Sequence, residues 1–301
     1  MEENKLLALL NALQARRYAF VTPTPATHAR VLARRSAALD VRDVFGWSLP
    51  FVEATLDPEL LRLARDADII EARGALLASR LRVSTLDDLF LLHSTFPTTQ
   101  NDSVFFGPDS YRFAAFLKAE LPKLSPRRLV DIGTGSGVGA IVAARCAPGA
   151  EILATDINPC AVRLARINAA HAGARVEALE TSTLDSVNGD IDCVIANPPY
   201  IADAAHRAYR DGGDMHGGAL SLAWAKAAAA RLRCGGAFLL YTGSAIVGGQ
   251  DALKSALFEA LSGFDICYRE LDPDVFGEEL ERPDYVDVER IAVVGLVAIK
   301  R

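Results

Sequence analysis

The sequence predicts a doubly wound α/β domain with a mostly parallel, seven-stranded sheet, preceded by a smaller, mainly helical N-terminal domain. Three observations lead there. From Arg128 onward short apolar runs alternate with helical patterns, the order that builds a parallel sheet covered on both faces. The first of these runs passes into a helix through the glycine-rich turn Asp131-Ile132-Gly133-Thr134-Gly135-Ser136-Gly137. The first hundred residues show neither feature.

In that first part, residues 6–17 form an amphipathic helical pattern and Pro23-Thr24-Pro25 breaks the chain. Short helical patterns follow at 26–36, 41–45 and 58–67. Residues 75–83 are short and apolar, with a return strand expected over 88–93. Helices ahead of a small β-ribbon suit a winged-helix-like module, read here as a substrate or dimerisation domain over residues 1–100. Residues 94–103, where Ser, Thr, Pro and Asn cluster, read as a linker into a domain over 101–301. There, strands are expected at 128–132, 151–155, 175–179, 191–196, 237–242, 264–271 and 291–300. The helices between them are expected at 138–147, which Pro148-Gly149 ends, and at 159–173, with Asn158 as cap and Pro159 at the first position. An alanine-rich helix at 219–233 stops before Gly235-Gly236, and another covers 251–261.

Composition excludes several classes. The chain has 301 residues, 50% hydrophobic and 23% charged, with a formal charge of −6. No cationic field is present to grip a long phosphate backbone, and no apolar run approaches the length of a membrane span. The opening residues are acidic and helical with no small-residue cleavage site, which predicts a cytoplasmic protein. Cys146, Cys160, Cys193, Cys234 and Cys267 are widely spaced with no CxxC, as expected of reduced, buried thiols. The five histidines, His28, His93, His171, His206 and His216, show no metal-ligand spacing, so no metal site is expected.

Two motifs carry chemistry. Glycines at 133, 135 and 137, between a strand and a helix, allow a tight turn and let a ligand approach backbone amides at a helix N-terminus. Asp156, ending the second strand, can accept from both hydroxyls of a ribose; its alternative role is a helix N-terminal charge. Because Gly135, Gly137 and Ala140 also fit the dinucleotide pattern, a nicotinamide cofactor stays open at this point. The second motif is Asn197-Pro198-Pro199-Tyr200, directly after the fourth strand. Two prolines impose a rigid extended turn without backbone donors. What remains are acceptors, the Asn197 side-chain oxygen and the Pro198 carbonyl, which suit the two donors of a planar NH₂ group. Tyr200 adds an aromatic face.

These motifs, in this order and spacing, resemble the class I S-adenosylmethionine-dependent methyltransferases, and within them the amino-methyltransferases that modify adenine nitrogens or glutamine amides. The nearest resemblance is to the protein-(glutamine-N5) methyltransferases of the release-factor type. It covers about residues 100–270 and includes Phe105-Phe106-Gly107-Pro108-Asp109-Ser110-Tyr111, which in that family borders the cofactor. The resemblance implies S-adenosyl-L-methionine as cofactor, held by Asp131, Gly133, Thr134, Gly135, Gly137, Asp156, Ile157 and Asn197, with Asn197, Pro198 and Tyr200 as the catalytic set. Adenine is expected near Glu180, Thr181 and Ser182, where the usual Asp is missing. The implied activity is N-methylation of a planar amide or amino nitrogen, on a protein glutamine or a small molecule. The alternatives are adenine-N6 methylation of nucleic acid, less in keeping with the charge, and a nicotinamide oxidoreductase, which leaves Asn197-Pro198-Pro199-Tyr200 unexplained.

Two stretches depart from the release-factor pattern. Residues 210–218 are glycine-rich and read either as a plain loop or as a lid. Residues 270–289 hold nine carboxylates and one arginine, Arg282. Such a run is ordinarily a solvated face; near the active site it would repel phosphates and select neutral or cationic acceptors.

Overall fold

The computed structural model describes residues 2–203, 207 and 209–301; His206 lies outside them. The chain opens with helices α1 (Glu2–Ala15), α2 (Pro25–Leu32), α3 (Val41–Phe45) and α4 (Pro58–Asp66). Each of the last three starts on a side-chain cap: Thr24, Asp40 and Asp57 accept the backbone amides of Thr27, Asp43 and Leu60. Four short strands follow, β1 (Ile70–Arg73), β2 (Leu76–Ser79), β3 (Leu81–Leu86) and β4 (Leu89–Ser94). They form two separate hairpins, β1 with β2 and β3 with β4. The apolar run 75–83 is thus two strands, not one. The Ser79 hydroxyl donates to the Leu81 carbonyl at 2.7 Å and turns the chain at Arg80, so that the two halves find different partners.

The remainder alternates as expected: α5 (Pro108–Glu120), β5 (Arg128–Ile132), α6 (Val138–Cys146), β6 (Glu151–Asp156), α7 (Pro159–His171), β7 (Glu177–Glu180), β8 (Ile191–Ala196), α8 (Ala219–Arg231), β9 (Leu232–Val247), β10 (Gln250–Asp251), α9 (Ala252–Ala260), β11 (Phe264–Asp272) and β12 (Arg290–Lys300). The sheet order is β7-β6-β5-β8-β9-β12-β11, with β10 folded back on β9. Neighbours from β7 to β9 pair in parallel, whereas β12 runs antiparallel to both β9 and β11. Strand β9 is longer than expected because its partner β12 continues the ladder to Ile246, beyond the parallel pairing with β8.

Apolar residues of α5 and α6 pack on one face of the sheet, and those of α8 and α9 on the other. Helix α7 is apolar on two sides. Val162 and Ala169 face the sheet, while Ala161, Leu164 and Ile167 join a second core built by α1, α3, α4 and β4. Asn168 of α7, fully buried, ties the two parts together: its side-chain oxygen accepts the Leu92 amide at 2.8 Å, and its amide donates to the carbonyls of Leu92 (3.0 Å) and Ser136 (2.8 Å). Residues 94–103 are also tethered. The Phe96 ring stacks on His28 at 4.1 Å, and Tyr209 Oη donates to the Thr98 carbonyl at 2.6 Å.

A buried arginine with two histidines beside it lies inside the N-terminal part. Arg82 is buried, with no carboxylate paired to it among the described residues; its Nε donates to the Ser94 carbonyl at 3.0 Å. His28, also buried, donates from Nε2 to the Trp47 carbonyl at 2.9 Å and turns Nδ1 towards Arg82 Nη1 at 3.4 Å. Burial, and then the Arg82 charge, push the His28 pKa down to about 4. His93, buried on the adjacent strand, is shifted in the same direction for the same reasons.

Two predictions follow from this packing. Replacing Asn168 by Ala strands one buried N–H and two carbonyls, so unfolding free energy should fall by roughly 2–4 kcal/mol; an unchanged urea midpoint would contradict the tie. For His28 the unfolded state takes up its proton near pH 6.5 and the folded state only near pH 4. Stability should therefore be flat above pH 6.5 and decline as pH falls through that window, by up to roughly 2–3 kcal/mol from this residue. Urea titrations at pH 7 and pH 4.5 check it: His28→Gln should lose less stability than wild type between the two.

Candidate active site

Strand order reverses between β5 and β8, and the crevice at their carboxyl ends is where an open α/β sheet binds ligands. A cavity of about 370 Å³ opens there, lined by the glycine turn, the Asn197–Ile201 segment and residues from six other stretches of chain.

Its floor is the turn out of β5. Gly133 has φ +63°, and a Cβ there would meet the Trp224 ring at 2.3 Å. A Cβ on Gly135, also left-handed, would meet nothing nearer than the Phe105 carbonyl oxygen at 4.0 Å, which leaves room for a ligand to reach its backbone. The buried Asp131 braces the turn: Oδ2 accepts Thr134 Oγ1 at 2.6 Å and the Ala140 amide at 2.9 Å. Burial lifts its pKa to about 7 against those two bonds, and Asp156 adds to the rise. Asp156 accepts the Gly135 amide on Oδ2 and the Asn158 amide on Oδ1, both at 2.9 Å. Burial raises its pKa while these backbone bonds oppose the shift. The carboxylate is at once a brace for the loop and a cavity-lining acceptor with lone pairs to spare.

Other site residues fall into place around it. Ile157, 56% exposed, lays an apolar side chain on the wall. Of the three residues expected near adenine, Thr181 and Ser182 line the cavity, while Glu180, the last residue of β7, is exposed and does not. Gly137, at φ +83°, serves as the N-cap of α6 against Ala165 and is not part of the lining. Asn197 and Pro198 stand on the opposite wall, with Phe105, Asp109 and Ser110 closing the N-terminal side. Tyr200 lines the cavity but is mostly buried, packed on Gly243 and edge-on to Phe276 at 5.8 Å. Its hydroxyl lies beside the buried Asp109, which accepts Tyr241 Oη at 3.1 Å. Burial raises the Asp109 pKa, and the two tyrosines oppose the rise.

Trp224, Tyr209 and Phe276, which sequence reasoning missed, are on the lining, as is Arg210 at the start of the 210–218 stretch. Trp224 sat unremarked in an alanine-rich helix. Phe276 lay in the acidic stretch, where charge drew attention from the aromatic. Its φ of +56° is uncommon for a bulky side chain, and such strain concentrates at functional sites.

Among the described residues, four of the nine carboxylates in the acidic stretch pair with arginines. Glu279, buried, bridges Arg210 and Arg282; Asp284 pairs with Arg282 at 3.1 Å, Glu270 with Arg290 at 2.9 Å and Asp272 with Arg112 at 3.0 Å. The Glu289 carboxylate accepts the Gly249 amide at 3.0 Å. Among the described residues no three potential ligands cluster as a metal site would require, and no helix is long and apolar enough to cross a membrane.

A family model of the methyltransferase small domain matches residues 100–257, just over half of the chain. The chain belongs to that family. Relatives named release factor glutamine methyltransferase match shorter stretches of the chain. That of Deinococcus radiodurans is 40% identical over 85 residues, covering 28% of this chain and 31% of its own. That of Moorella thermoacetica is 41% identical over 95 residues, covering 30% and 34%. The chain thus spans about a third of the length of these curated relatives. A solved transferase structure from Pyrococcus horikoshii superposes with a TM-score of 0.50 at 12% identity, over 80% of this chain and 83% of the other, a likeness of fold. The methyltransferase small domain therefore contains the glycine turn, Asp156 and Asn197, with the cavity between them.

Proposed function

We propose that this methyltransferase-family chain is an S-adenosyl-L-methionine-dependent N-methyltransferase acting on a planar amide or amino nitrogen, of a protein glutamine or a small molecule. One observation carries the reading: the acceptors Asn197 and Pro198 line the same cavity as the glycine turn and Asp156. Acceptor atoms for an NH₂ group and a cradle for a nucleoside-bearing cofactor share one space. The family membership and the release-factor relatives support it.

The residues present suit the cofactor. The open face of Gly135 admits a ligand to the backbone, Asp156 can take ribose hydroxyls, Ile157 and Thr181 border the place for a base, and Asp131 braces the turn beneath. Bound there, the cofactor supplies an already activated sulfonium methyl. The chain's own task is orientation. An amide or aryl-amine nitrogen is a poor nucleophile because its lone pair is delocalised. The Asn197 side-chain oxygen and the Pro198 carbonyl accept its two hydrogens, fix its plane and stabilise the positive charge that grows on it. That nitrogen's proton becomes acidic as its new bond forms, so no strong base is required beforehand. A cytoplasmic setting with a protein or small-molecule acceptor, rather than long nucleic acid, accords with the −6 charge. Residues 1–100, docked on α7, serve in this reading as the domain that meets the acceptor or a second copy.

Two measurements test it. Asp156→Ala should weaken S-adenosylhomocysteine binding about 10- to 150-fold, the loss of a charge-assisted pair worth roughly 1.5–3 kcal/mol. Calorimetric binding of NADH with none of S-adenosylhomocysteine would overturn the cofactor. Label transfer from radiolabelled cofactor to fractionated lysate sorts the acceptor into protein, small molecule or nucleic acid. In that assay Asn197→Ala should slow transfer by about 10²–10³ with cofactor binding retained, whereas Asn197→Asp keeps an acceptor and partial activity. Equal rates for wild type and Asn197→Ala at saturating cofactor would end the N-methyltransferase reading.

A further inference from the structure

The glycine-rich stretch after the Asn-Pro-Pro-Tyr turn is a brace packed on that turn's backbone. Ile201 donates its amide to the Arg210 carbonyl at 3.3 Å, and Gly212 returns one to the Ile201 carbonyl at 2.9 Å. A Cβ on Gly217 would stand 2.3 Å from the Tyr200 carbonyl oxygen. One on Gly212 would stand 2.0 Å from the Gly217 carbonyl and 2.8 Å from that of Pro199. Only glycine permits this backbone-on-backbone contact. The brace is also strained: Met215 and His216, neither of them glycine, both take left-handed φ, +59° and +51°. Such a conformation persists only where its surroundings hold it.

What holds it comes from the acidic stretch between β11 and β12. Tyr285 is 1% exposed, and its hydroxyl accepts the Ala202 amide at 2.8 Å while donating to the His216 carbonyl at 3.3 Å. Asp287 adds a second hold, to His216 Nε2 at 3.1 Å. One hydroxyl therefore fastens both the exit of the turn and the strained point of the brace.

We infer that Tyr285 is a positioning residue for methyl transfer: through Ala202 and the 211–218 brace it fixes the acceptors Asn197 and Pro198 in register with the bound cofactor. The inference rests on the transferase reading, and it gives the acidic stretch a role that does not depend on its charge. Tyr285 touches no reacting group, so its effect belongs to rate at saturation and not to cofactor affinity.

Tyr285→Phe keeps the ring and removes the hydroxyl. Hydrogen–deuterium exchange over residues 199–203 and 211–218 should quicken about tenfold or more as two buried bonds are lost, with β5 and β6 unchanged. Calorimetry should return an S-adenosylhomocysteine Kd within about twofold of wild type. Label transfer to the lysate fraction that wild type methylates should slow by about 10- to 100-fold at saturating cofactor. Asp287→Ala, which leaves the Tyr285 bonds in place, should shift exchange and rate the same way by less, and it carries the test if Tyr285→Phe does not fold. Unchanged exchange over 199–203 overturns the inference, as does quickened exchange with an unchanged transfer rate. If wild type labels no fraction at all, the transferase reading falls, and the exchange result still decides whether Tyr285 holds the turn.

Discussion

Two neighbouring parallel strands, β5 and β8, send their connections in opposite directions, and everything else in the molecule is arranged around the gap this leaves. A helix following β5 and a helix following β8 cannot both cover the same edge, so the carboxyl ends of these strands stay open. Polar groups placed there are partly shielded from water yet not consumed by secondary structure. Asp131 sits near the end of β5 and Asp156 at the end of β6; the first accepts a hydroxyl and one backbone amide and the second two backbone amides, which keeps two acids tolerable away from water. From the other strand comes Asn197. The crevice thus brings together a loop of donors and a turn of acceptors that lie some sixty residues apart in the chain, as the positions of Gly135 and Asn197 show.

The turn of acceptors needs more support than the loop of donors. The glycine loop is short and closes on its own helix through Asp131. Among the described residues the next helix after the Asn-Pro-Pro-Tyr turn starts only at Ala219, and the turn's prolines donate nothing. It is held from outside: by Tyr200 wedged against Gly243 near Asp109, by the glycine brace, and by the segment between the last two strands. The arginines of that region bind it together, Arg210 reaching from the cavity wall to Glu279 and Arg282 from Glu279 to Asp284.

Most of the sheet was legible because its strands are local apolar runs punctuated by Gly, Pro and Asn. The residues at 128–132 and 191–196 are strands at those bounds, and Asn158-Pro159 opens α7 as capping chemistry requires. That the glycine turn, Asp156, Asn197 and Pro198 would meet at one cavity was legible for a related reason, since each is a particular residue type at a particular strand end. Trp224 and Phe276 were not. A side chain reaches the cavity from α8 or from the β11–β12 segment only through tertiary packing, which leaves no periodic mark. The pairing of the acidic run was hidden likewise, because Arg112, Arg210 and Arg290 lie outside it in sequence or at its margin. The run at 75–83 misled by being continuously apolar although one serine side chain folds it in two.

Helix α7, with one oily side on the sheet and another on the N-terminal core, has a consequence for inheritance as well as for stability. Ala161, Leu164 and Ile167 lie in a core whose other buried members, apart from Val104, come from the first hundred residues. A fragment beginning near residue 101 would leave most of that stripe uncovered and tend to self-associate. A lineage exchanging its N-terminal part for another would have to supply a new cover for the same stripe, and a new pair of backbone partners for Asn168. The dowel between the two parts thus limits which N-terminal parts the methyltransferase small domain can adopt.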